Sequence, residues 1–230
     1  MRWRPPNGLQ LADAAVSGGI GILDPVTGEA MSLAPIGGTS LDRSPDGSKL
    51  VSGSGYENEV YVADMAAGQQ IMVLEGHIAP ITTVDWSPDG QKLASGGGLD
   101  DPTMRVWDAV TGQDLLQRHT VAISEVRWNP DSSLLASAGD DGTVRIWDAT
   151  TGEQLEIFEY PGRVYAVDWS PDSSRIAYAG NRNDGRNANV EIVELFPQLT
   201  ATVMPTDESI VGQLSPKRQT VLPHPALLSP

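Results

Sequence analysis

Histidine, serine and aspartate are the residue types of a hydrolytic triad, and this chain carries them twice at matched spacing. His77 precedes Ser95 by 18 residues and His119 precedes Ser137 by 18, while Asp101 and Asp141 each stand six residues before a tryptophan, Trp107 or Trp147. Nucleophilic catalysis needs an exposed hydroxyl and a pocket of donors for the developing oxyanion. Here the set recurs at equivalent positions in β-patterned stretches such as TMRVWDA and TVRIWDA. That is the behaviour of a repeated structural network, because buried polar groups must be paired. No catalytic residue is assigned, and the chain reads as a non-enzyme.

Other chemistry is excluded by composition. The three histidines, one of them His224 near the end, form no cluster with Asp or Glu at metal-ligand spacing, so no metal is expected. With no cysteine there is no disulfide scaffold, thiolate zinc site or thiol nucleophile. The stretch from Asn181 to Asn187 lacks the spaced acids of a calcium loop, and Gly96-Gly97-Gly98 reads as a hairpin tip rather than a phosphate loop. No cofactor is expected either. Thirty acids against fifteen bases leave a net charge of -15, and the few lysines, Lys49, Lys92 and Lys217, are far apart. Nucleic acid is therefore an unsuitable partner, since counterion release requires clustered cations. No apolar run approaches the roughly 18 residues of a membrane helix, and MRWRPPNG has no signal-peptide core. The expectation is a soluble, cytoplasmic protein with no membrane partner.

The elements that carry these residues are set by an internal repeat. Ser44-Pro45-Asp46-Gly47 returns as Ser87-Pro88-Asp89-Gly90, Asn129-Pro130-Asp131-Ser132 and Ser170-Pro171-Asp172-Ser173, with a weaker copy at Arg4 to Gly8. Successive prolines stand 40, 43, 42 and 41 residues apart, a period of propellers and solenoids. Each copy has the chemistry of a type I turn. A second mark recurs at Thr27-Gly28, Ala67-Gly68, Thr111-Gly112 and Thr151-Gly152. Short β-patterned runs lie between the marks and no helix-period segment is present, so each unit of about 41 residues reads as one four-stranded propeller blade. The fold class is all-β, a propeller of antiparallel blades with five recognisable units and a degenerate sixth at Leu214-Ser215-Pro216. Residues 1–204 are expected to form the blades and 205–230 the degenerate strand and a Pro-rich tail.

Trp107-Asp108 and Trp147-Asp148 end the third run of their units, Gly76-His77 opens a unit, and Arg118-His119 stands where the next Gly-His would be. In these residues the chain resembles the WD-repeat β-propeller family over roughly residues 1–204. The resemblance implies a tetrad of His, Ser or Thr, Asp and Trp that ties each blade by hydrogen bonds. His77, Ser95, Asp101 and Trp107 complete one tetrad, and His119, Ser137, Asp141 and Trp147 another. The second unit keeps Ser52 and Glu57 but has Ala63 for the tryptophan; the fifth offers Tyr160, Tyr178, Asn187 and Val193. Blades at both ends are therefore expected to hold by apolar packing alone.

The resemblance also implies a non-enzymatic scaffold for protein or peptide partners. Spans across the first-to-second and third-to-fourth strand turns are nearly constant. Spans across the second-to-third strand loop are 10, 11, 12, 10 and 15 residues, and those across the blade connection are 17, 20, 18 and 19. Variation thus gathers on the histidine-bearing face, where binding is expected. The candidate contacts are Tyr56, Glu57, Ile78, Ala79, Leu99, Asp100, Asp140, Arg182, Asp184 and Arg186. Acids beside apolar side chains suit a basic partner. The alternative function is a sensory or regulatory propeller of a larger enzyme, since Val167 to Tyr178 is also similar to repeats of periplasmic and peptidase-associated propellers. Two closures stay open: a strand near Ile210–Ser215 completing blade one, or an arc of a larger propeller with self-association through open blade edges.

Overall fold

A computed structural model describes residues 38–118, 121–181 and 189–195 in full, and the backbone of 11–15, 19–23, 30–33, 119 and 219–220. It contains strands and no helix among these residues. Blade one contributes β1 (Leu11–Ala15), β2 (Gly19–Leu23) and β3 (Ala30–Leu33). Blade two comprises β4 (Gly38–Arg43), β5 (Lys49–Ser54), β6 (Val60–Asp64) and β7 (Gln69–Leu74). Blade three comprises β8 (Ile81–Trp86), β9 (Lys92–Gly97), β10 (Thr103–Asp108) and β11 (Asp114–His119). Blade four comprises β12 (Ile123–Trp128), β13 (Leu134–Gly139), β14 (Thr143–Asp148) and β15 (Gln154–Glu159). Blade five comprises β16 (Val164–Trp169), β17 (Arg175–Gly180), β18 (Asn189–Glu194) and β19 (Gln219–Thr220).

Each is an antiparallel meander in chain order. β1 lies against β4 as β5 lies against β8, which makes β1 a second strand and leaves the described part of blade one without an inner strand. The returning strand expected near Ile210–Ser215 lies outside the described residues; of that region the structure describes only β19, paired with β18. The segments around 1–10 and 205–218, on which the expected boundary at 204 rests, lie outside them as well.

The repeated turns form for a reason visible in their atoms. Ser44 Oγ donates to Asp46 Oδ1 at 2.6 Å and accepts from the Lys49 amide at 2.9 Å, and the same carboxylate accepts from the Ser48 amide. These bonds, the one from Ser44 foremost, hold the Asp46 carboxyl down at about 2. The fourth turn position takes φ near +74° at Gly47 and Gly90, but +66° at Ser132 and +59° at Ser173. A serine there is strained where glycine is not. It is compensated across the blade junction: Ser132 Oγ accepts from the Asp89 amide at 3.0 Å, and Ser173 Oγ accepts from Asn129 at 3.4 Å.

Every described inner strand carries a register shift after its first residue: Gly38/Ser40, Ile81/Thr83, Ile123/Glu125 and Val164/Ala166. The bulge turns residues at i, i+3 and i+5 onto one face. From blade three onward these are Ile81, Val84 and Trp86; Ile123, Val126 and Trp128; and Val164, Val167 and Trp169. They fill the three junction cores against the preceding blade. The leading residue meets a small one. A Cβ on Gly53 would stand 2.5 Å from Ile81 Cγ2, and one on Gly96 would stand 2.6 Å from Ile123 Cγ2. At the next junction the socket is Ala138 and the knob is the smaller Val164.

Gly96→Ala is expected to destabilise by about 1–3 kcal/mol through overpacking. Adding Ile123→Val, which keeps the Cγ2 and Cβ that the new Cβ would meet, should recover little of that loss. Urea unfolding of the single and double variants measures the coupling.

Candidate functional site

Blade three holds a complete buried network. Trp107 Nε1 donates to Ser95 Oγ at 2.8 Å, so the serine hydroxyl donates onward to His77 Nε2, also at 2.8 Å. His77 Nδ1 then carries the proton and donates to Asp101 Oδ2 at 2.5 Å. Asp101 accepts further from the Ile78 amide at 2.9 Å and from Thr103 Oγ1 at 2.7 Å. Burial pushes the His77 imidazole down from 6.5, outweighing the Asp101 carboxylate that pulls it up. For Asp101 burial alone would raise the carboxyl, but the bonds from Thr103, Ile78 and His77 bring it below its usual value. A neutral imidazole donating to a carboxylate satisfies both. Ser95 is fully buried, with its hydroxyl shared between Trp107 and His77, so it has no room to attack a substrate. The network ties the loop before β8 to β9 and β10.

In blade four Trp147 Nε1 donates to Ser137 Oγ at 2.9 Å, while Asp141 accepts from Thr143 and from Arg145 at 2.8 Å. The side chain of His119 lies outside the described residues. Blades two and five correct the expectation of apolar packing alone. With Ala63 in place of tryptophan, the Ser52 hydroxyl is buried without a partner. Tyr61, opposite Ser52 in the ladder, instead sends its hydroxyl to Glu57 and Glu59. Burial, followed by these carboxylates, raises the phenol strongly. In blade five Tyr160, at the histidine position, donates to the Gly180 carbonyl at 2.8 Å, and Tyr178 at the serine position donates to Glu191 at 3.0 Å. A phenol is long enough to reach backbone or carboxylate partners that a serine cannot. The fifth-unit Asn187 lies outside the described residues.

Above these networks lie the variable loops. On the opposite face every turn between the first and second strands of blades two to five has five residues. The second-to-third strand loops range from three residues in blade four (140–142) to eight in blade five (181–188). On this loop face Ile78, Leu99 and Tyr56 are 75%, 74% and 72% exposed, and Glu57 and Asp100 are exposed beside them in sequence. Ala79 departs from expectation: it is buried at 4%, because the chain turns inward there to enter β8 while Ile78 is held out by its amide bond to Asp101. Asp140 is half-buried, accepts from Ser124 Oγ at 3.4 Å and pairs with Arg163 at 3.4 Å, so its charge is matched across the junction. Arg182, Asp184 and Arg186 lie outside the described residues.

The sequence reading missed a second repeated feature, on the inner strands. Ser40 Oγ accepts from the Val84 amide at 3.0 Å and Asp42 from the Trp86 amide at 2.6 Å. Thr83 and Asp85 do the same for Val126 and Trp128, and Glu125 for Val167. These acceptors stand five and three residues before each turn proline, and that recurrence is the signal that could have found them. Arg127 replaces the acid in blade four, pairing with Glu125 and lying 3.7 Å from Asp85.

His77→Ala should lower stability by about 1–3 kcal/mol by removing one hydrogen-bond partner each from the buried Ser95 and Asp101. His77→Ala should leave the exposed loop residues in place, as judged by unchanged accessibility of Tyr56. Because the folded imidazole is depressed, the unfolded chain takes up a proton first. This part of the stability is complete above about pH 6.5 and declines as pH falls below it. Thermal melts from pH 8 to pH 5 should slope less steeply in the variant than in the parent protein.

The model of the WD domain, G-beta repeat family matches residues 68–108 and 113–148. No curated protein matches the chain significantly. Among the described residues no group of three or more His, Cys, Asp or Glu is placed to hold a metal ion, and no helix is long and apolar enough to cross a membrane. The matched segments span blade three, most of blade four and the turn and outer strand of blade two, where the Trp-Asp pairs and the buried tetrad lie, and these segments are repeats of the WD β-propeller type.

Proposed function

We propose that this chain is a docking scaffold whose loop face binds a protein segment presenting a basic residue beside an apolar one. WD repeats in general act as protein-interaction scaffolds. The observation that carries the finer reading is the exposure of three large apolar side chains, Tyr56, Ile78 and Leu99, on the face where loop length varies, with Glu57 and Asp100 adjoining them. Isolated exposed apolar residues need no explanation, but several on one loop face beside acids form the mixed surface that recognises a partner. The net charge of -15 accelerates encounter with a cation, so association weakens as salt rises.

The test is an array of peptides carrying Arg or Lys beside Leu or Phe, probed with the protein and two double variants. Leu99→Ser with Asp100→Lys should abolish binding. Val110→Ser with Glu153→Lys, which alters exposed residues of the opposite face, should leave it intact. Asp89 and Asp131 are unsuited to that control because their carboxylates close the turns. Loss of binding in the second variant alone, or no binding at any salt concentration, refutes the proposal. Melting temperatures of both variants should stay near that of the parent.

A further inference from the structure

On the constant face, the junctions after blades three and four satisfy the tryptophan they seat, and the junction between blades two and three does not. Trp128 Nε1 donates to the Asp85 carbonyl at 3.2 Å, and Trp169 Nε1 donates to the Arg127 carbonyl at 3.0 Å. Trp86 is only 5% exposed, and its Nε1 is buried without a hydrogen-bond partner. Two further groups at this junction differ in the same sense. Ser132 Oγ accepts from the Asp89 amide, whereas Gly90, at the Ser132 position, gives the Asp46 amide no such acceptor. Lys92 lies over the Trp128 ring and donates to the Ala149 carbonyl at 3.2 Å, whereas Lys49, its equivalent in blade two, lines an open cleft. That cleft, of about 220 Å³, lies between the turns of blades two and three and is bounded by Trp86, Asp46, Lys49, Asp89 and Gly90.

We propose that this cleft is a binding site for an uncharged carboxamide, the side chain of a glutamine or asparagine presented by a partner's peptide segment. The indole of Trp86, the amide of Asp46 and the ammonium of Lys49 are all donors, so the inserted atom is an acceptor. A buried donor left unpaired is costly, which makes its satisfaction a source of affinity. In the closed junctions both the indole and the lysine donate to amide carbonyls, and an amide oxygen is what the open junction lacks. Charge selects against an anion, because the Asp46 and Asp89 carboxylates outnumber Lys49 and like charges set side by side are penalised. Asp89 Oδ1 takes bonds from the Ser87 hydroxyl and the Gln91 amide, which leaves Oδ2 to accept. A carboxamide carries an acceptor and a donor on one carbon. Its oxygen takes the Trp86 proton and its NH₂ group meets Asp89.

The test titrates the whole protein with the capped tripeptides Gly-Gln-Gly and Gly-Glu-Gly and follows the assigned indole N–H resonance of Trp86 by NMR. The glutamine peptide should shift that resonance saturably, with a Kd of about 1–10 mM, the range open to one small side chain. The glutamate peptide should bind about tenfold more weakly or worse at pH 7. A Cβ on Gly90 would stand 3.8 Å from Pro45 Cδ, so a serine fits there. Gly90→Ser supplies the hydroxyl that Ser132 supplies one blade on, and should weaken glutamine binding about tenfold. Its melting temperature should stay near that of the parent, since Ser132 and Ser173 hold the same turn position at positive φ. Leu99→Ser with Asp100→Lys on the loop face should leave this binding unchanged, so the carboxamide site and the loop-face proposal fail separately. No saturable shift of the Trp86 resonance up to about 50 mM, equal or tighter binding of the glutamate peptide, or binding indifferent to Gly90→Ser overturns the proposal.

Discussion

Blade-on-blade packing rests on a steric match between the first residue of each inner strand and a small residue of the blade before it. Ile81 packs against Gly53 and Ile123 against Gly96, and Val164 shares a core with Ala138. The bulge that follows each knob rotates the strand so that the valine and tryptophan behind it share the same face. The three apolar cores therefore depend on local backbone irregularity as much as on hydrophobic content. Without the bulge, residues at i and i+3 would point to opposite sides of the sheet.

Polar bonds fix the register that apolar contact leaves loose. A propeller's inner strand is an edge, with amides that no further strand receives. Ser40, Asp42, Thr83, Asp85 and Glu125 accept those amides from the blade behind, so each junction is stitched by side chain to backbone. Within blades the same requirement is met in different ways. Blade three uses the four-residue tetrad, and blades two and five use tyrosine hydroxyls. Loss of the tryptophan in blade two left one trace, the buried and unpartnered Ser52 hydroxyl.

The acids of the constant face share one role. At the constant end Asp46, Asp131 and Asp172 are bound by neighbouring hydroxyls and amides, which lowers their carboxyls and closes five-residue turns. At the loop end Asp100 and Glu57 are exposed at the rim beside apolar side chains. Turn length is constant at the first end of blades two to five and varies at the second.

Much of this was legible in the residues, because repetition supplied its own control. The turn motif, the 18-residue His–Ser spacing and the Trp-Asp pairs located the blades and the tetrad of blade three, whose bonds are local to one sheet. One expectation went astray: Ala79, placed among the exposed contacts, is a loop residue tucked inward, and an ion pair such as that of Asp140 with Arg163 of the next blade carries no mark in the sequence. Tyr61 was invisible as a network member, and Tyr160 stood only at a degraded tetrad position, because a phenol reaches partners that no motif encodes. Sequence by itself determined the period, the strand order and the residues able to form buried networks, since these follow from local turn chemistry and spacing. Only the tertiary structure decided which small residue receives which knob. Those matches are made between residues about 27 positions apart, across a junction whose geometry arises only when whole blades stack.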